Sequence, residues 1–74
     1  MSIETEVKEI LSTLLEQEVN DNTSMQNCEK WDSMKQIEII TTLEEELNIS
    51  FEIQDIPKLN SYELIVKKIK DIHG

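Results

Sequence analysis

Apolar residues recur along this chain at helical spacing in three separate stretches, and the segments between them lack that period. In the first, Ile3, Val7, Ile10, Leu11, Leu14 and Leu15 fall at i, i+4, i+7, i+8, i+11 and i+12, which makes one stripe. The spacing predicts a core-facing amphipathic helix over roughly 3 to 17. Ser2 can cap it, and Glu4 and Glu6 suit the positive end of its dipole. Periodicity then stops over 18–30, where Asn20-Asp21-Asn22-Thr23-Ser24 is a cluster of turn formers. This is a long loop, with Val19, Met25 and Trp31 as candidate core anchors.

The second helix opens at Asp32 or Ser33. Its stripe of Ile39, Ile40, Leu43 and Leu47 runs to about Leu47, with Asn48 as a left-handed cap. Ile49, Phe51 and Ile53 alternate with Ser50 and Glu52, but no second strand is evident to pair with them. The expected form is an extended connector dropping apolar anchors into the core, then one short helical turn over 52–56 that Pro57 ends. Asn60 is expected to cap the last helix, with Glu63 completing a capping box. Tyr62, Ile65, Val66, Ile69 and Ile72 form its buried stripe, and Lys67, Lys68 and Lys70 suit its negative end. The predicted fold is all-α: a single domain over 1–74, a small antiparallel bundle of three main helices plus a short third helix, with the long loop between helices 1 and 2.

Charge narrows the partners. Sixteen acidic against seven basic residues give a net charge of −9 in 74 residues, which repels phosphate backbones and anionic lipid. Basic proteins are the expected partners, not nucleic acid or membrane. No apolar run approaches the ~20 residues of a membrane span, and the first residues lack the basic flank and apolar run of a secretory signal, so a cytoplasmic monomer is expected. Cys28 is a single cysteine, read as a partly buried loop thiol; with His73 it is too little for a structural zinc site. Asn20, Asn22 and Ser24 alternate as calcium ligands do, but Met25 stands where a calcium loop turns on glycine and Trp31 where a carboxylate should close the site. No metal site is expected. No Ser/His/Asp or Cys/His array can be assembled, which argues against an enzyme.

Candidate chemistry centres on Ser33, at the mouth of the second helix. Unpaired backbone N–H groups and the helix dipole favour an anion there, so an esterified phosphate would be well placed. Plain capping explains the residue as well: Ser33-Met34-Lys35-Gln36 fits a serine-to-glutamine capping box, and Asp32 is an equally good cap. Met34 and Ile37 lie to one side of the core stripe, on the side of Ser33. Together with Glu38, Glu44 and Glu45 they could make a docking face, or they could pack beneath the long loop.

The run Trp31-Asp32-Ser33-Met34, followed by Glu38-Ile39-Ile40 and Leu43-Glu44-Glu45-Glu46-Leu47, resembles the Asp-Ser-Leu motif and second helix of the acyl carrier protein family, which includes the carrier domains of peptide and polyketide synthesis. Helix order, long first loop, short third helix and acidic balance extend the resemblance over nearly the whole chain. It implies a free-standing acyl or aminoacyl carrier, with 4'-phosphopantetheine esterified to Ser33 and cargo held as a thioester on that arm. It further implies that Asp32 supports attachment, that Met34, Ile37, Glu38, Glu44 and Glu45 meet partner enzymes, and that those partners are a phosphopantetheinyl transferase, an activating ligase, and acyltransferases or synthases with basic docking patches. Met34 in place of leucine conserves volume. Lys35 adds a positive charge beside the proposed phosphate, and Thr41 stands where the family often has an apolar contact. An acidic helical interaction module without a prosthetic group is the competing expectation.

Overall fold

A computed structural model describes residues 2–73. It contains helix α1 (Ile3–Leu15), helix α2 (Ser33–Leu47), a 3-10 helix (Ile53–Lys58) and helix α3 (Tyr62–His73). α1 packs against both α2 and α3, and the 3-10 helix packs against α2. One apolar cluster unites them as a small all-α bundle.

Each main helix contributes a triplet at helical spacing to that core: Val7, Leu11 and Leu15 from α1, Ile39, Ile40 and Leu43 from α2, and Tyr62, Ile65 and Ile69 from α3. Burying a side chain of this size contributes ~1.5–3 kcal/mol, and Trp31, Phe51, Leu59 and Val66 add to the same core. Ile3, Ile10 and Leu14 are only partly buried, at the margin of the cluster. Val19 and Trp31 are buried loop anchors as expected, Met25 is partly so, and Cys28 is fully interior, more deeply placed than its polar surroundings suggest.

The ends of the helices are defined by local hydrogen bonds. Ser2 caps α1 by accepting from the Thr5 N–H at 3.2 Å. α1 stops two residues earlier than its pattern implies, because Glu16 turns into the left-handed region (φ 55°) and its N–H closes on the Ser12 carbonyl. Asn48 plays the same part after α2, as its residue type predicts.

Four expectations about the second half are corrected. The cap of α3 is Ser61, whose Oγ accepts from the Leu64 N–H at 3.2 Å; Asn60 instead offers its backbone carbonyl to the Met25 N–H at 2.9 Å. The short helix is 3-10, runs to Lys58 and contains Pro57 instead of ending before it. Ile53 is not a core anchor but is 87% exposed; Phe51 is the residue the connector buries, flanked by half-buried Ile49 and Ile56. Ile72, expected on the buried stripe of α3, is 39% exposed in its last turn.

The long loop is fastened at its middle. Tyr62 N–H donates to the Thr23 carbonyl at 3.0 Å, and with the Met25–Asn60 bond this forms an isolated bridge between Ser24 and Ser61. Asn20 Oδ1 accepts from the Asn22 N–H at 2.8 Å, and Asn27 Oδ1 from the Ser24 N–H at 2.9 Å. Of the residues spaced like calcium ligands, Asn20 thus uses its side chain to form a turn, while Asn22 and Ser24 enter these bonds through their backbone N–H groups. Among the described residues no cluster of His, Cys, Asp and Glu is arranged to hold a metal, and no helix is long and apolar enough to cross a membrane.

Candidate functional site: the mouth of α2

Two candidate caps compete in the sequence, and geometry separates them. Asp32 has extended backbone (φ −106°, ψ −173°) and its Oδ1 accepts from the Lys35 N–H at 2.8 Å, so Asp32 is the N-cap. Ser33 is the first helical residue, and its side chain is exposed. The serine-to-glutamine capping box does not form, because Gln36 points inward.

Gln36 is the residue the sequence pattern conceals. It is buried, receives the Trp31 indole N–H at 2.6 Å, and donates through Nε2 to the carbonyls of Ile56 at 2.8 Å and Leu59 at 2.7 Å. One amide thereby ties the loop, the first turn of α2 and the 3-10 helix together. Its position could have been found: Gln36, Ile39, Ile40 and Leu43 fall at i, i+3, i+4 and i+7, so Gln36 continues the buried stripe toward the N-terminus despite being polar. A polar side chain on such a stripe must find partners, and this one finds three.

The latch builds a cleft beside Ser33. Met25, Ser33, Gln36, Ile37, Ile56 and Pro57 line about 380 Å³ of space that is mostly apolar. The N–H groups of Ser33 and Met34, at the first two helical positions, have no intrahelical acceptor by geometry. An exposed hydroxyl outside the cap, two such N–H groups and an apolar wall form a site that fits a phosphate ester with an uncharged extension.

The flanking face is more apolar than acidic. Met34 is 82% exposed and Ile37 64%, so neither packs beneath the loop. Glu38 is exposed but pairs with Lys35 at 3.2 Å. Glu44 is half-buried and its Oε2 accepts from the Phe51 N–H at 2.8 Å, fixing the connector after α2. Glu45 is exposed. Of the three glutamates expected to face partners, one therefore projects freely, one is neutralised locally and one also supports the fold.

No family model matches this chain, and no curated protein matches it.

Proposed function

We propose that this chain is an acyl or aminoacyl carrier, with Ser33 as the attachment residue for 4'-phosphopantetheine. The observation that carries the reading is the division of labour at the mouth of α2: Asp32 takes the cap and leaves the exposed Ser33 hydroxyl available. A serine needed only to start the helix would be redundant there. When bound, the arm supplies the thiol that holds cargo as a thioester, so the chain needs no nucleophile or acid–base pair of its own.

The residues around Ser33 then have distinct tasks. The free N–H groups of the first turn and the dipole hold the ester phosphate. Asp32 fixes the helix start and supports the transferase reaction. Met34 and Ile37 offer apolar contact to a transferase, a ligase or a synthase, and Glu45 attracts their basic patches, which favours fast encounter and release. The lone buried thiol, Cys28, agrees with a reducing cytoplasmic setting.

Protein purified from its native host provides the test. Cleavage after Lys30 and Lys35 releases the fragment 31–35, which should carry a phosphopantetheinyl group and, in part, its cargo. Recovery of that fragment wholly unmodified would favour an acidic interaction module without a prosthetic group.

A further inference from the structure

A second surface lies away from Ser33. Between α1 and α2, half-buried Ile10 and Leu14 form the floor of a groove of about 300 Å³, with Thr13 and Thr42 on its walls. Glu9 and Glu46 stand on opposite rims, and the groove continues past Glu6. At about 100° per residue, Thr42 and Glu46 fall roughly on the opposite side of α2 from Ser33, so this surface stays accessible when the mouth of α2 is engaged.

Its charge is of one sign. Lys8, Lys30, Lys35, Lys68 and Lys70 are each paired, with Asp21, Glu16, Glu38, Asp55 and Glu4 respectively, and none of these pairs reaches Glu6, Glu9 or Glu46. The groove beside α3 mixes Lys67 and Lys70 with its acids, and the cleft beside Ser33 has no charged lining. Glu6 and Glu9, three residues apart on one helix, repel each other. An apolar floor between like charges on two helices calls for a ligand that is apolar along its middle and cationic at its edges.

We infer that the α1–α2 groove docks a basic amphipathic helix of a partner protein. Aliphatic residues of that helix, and the stems of its lysines or arginines, lie on Ile10 and Leu14, while the cationic heads reach Glu6, Glu9 and Glu46. A second copy of this chain would bring the same carboxylates face to face, and nucleic acid or anionic lipid would be repelled. The inference does not depend on the role of Ser33.

The probe is a synthetic amphipathic helix of leucine and lysine, titrated at low ionic strength into the full-length protein labelled with ¹⁵N. Amide shifts should concentrate at Ile10, Thr13, Leu14, Thr42 and Glu46. The triple variant Glu6→Gln/Glu9→Gln/Glu46→Gln should bind about tenfold more weakly, equal to about 1.4 kcal/mol, whereas the charge-matched Glu18→Gln/Glu29→Gln/Glu63→Gln should change affinity by less than about twofold, as isolated surface charges do. Any of four results overturns the inference: no binding, shifts centred on Met34 and Ile37, equal losses in the two triples, or undiminished binding of a peptide with its leucines replaced by serine.

Discussion

Trp31 and Gln36 are joined side chain to side chain inside the protein, the indole Nε1 donating to Gln36 Oε1 at 2.6 Å, and the same amide holds the Ile56 and Leu59 carbonyls. Every polar atom of Gln36 is thus committed to a different segment. Gln36→Ala would strand a buried indole N–H and the Leu59 carbonyl, whereas the Ile56 carbonyl keeps the Leu59 N–H; leaving two such groups unsatisfied costs about 2–6 kcal/mol in total. The urea midpoint should fall accordingly; a midpoint equal to that of the unaltered protein would show the latch to be dispensable.

Asp32 and Ser33 should separate cleanly in stability. Loss of the cap in Asp32→Ala should cost about 1 kcal/mol, while Ser33→Ala, at the first helical position, should cost less than about 0.5 kcal/mol because alanine is a good helix former. Equal losses from the two variants would mean that Ser33 shares the capping role, which would remove the main support for its availability.

Burial raises the pKa of Tyr62, with the nearby Lys8 ammonium acting in the opposite direction; the phenol donates to the Glu4 carbonyl at 3.2 Å. Stability from the neutral phenol is therefore complete below its ordinary value of 10.0 and is lost as pH rises through the higher folded value. Lys8 and Lys68, raised by hydrogen bonds to Asp21 and Asp55, act in the same direction from 10.5. The melting temperature should fall on the alkaline side. Tyr62 is the single tyrosine, so phenolate absorbance reports it alone. Its midpoint should lie above 10.0 in the folded protein and return to the ordinary value in denaturant; coincident midpoints would refute the assignment.

Much of the fold was legible because apolar spacing is a local signal. Val7, Leu11, Ile39, Leu43, Ile65 and Ile69 are fully buried on the stripes that predicted them, and Ser2 and Asn48 cap as their residue types suggest. Misreadings arose where tertiary contacts decide. Ile53 continues an alternating pattern but lies at the start of the 3-10 helix, outside the core; Gln36 lies on the buried stripe, but its partners, Trp31 and two distant carbonyls, are set by the tertiary fold. At the site, the choice between Asp32 and Ser33 as cap rests on one hydrogen bond that residue types alone leave open. The glutamates of α2 could be counted in the sequence, but the engagement of Glu38 by Lys35 and of Glu44 by the Phe51 N–H could not.

The carrier reading is tested most directly by intact-mass measurement after incubation of the unmodified protein with a broad-specificity phosphopantetheinyl transferase, magnesium and coenzyme A. The account predicts a gain of one phosphopantetheinyl group, localised to the fragment 31–35 and lost in a folded Ser33→Ala variant. No gain with a transferase that modifies a known carrier in the same assay, or a gain that persists in Ser33→Ala, would contradict it.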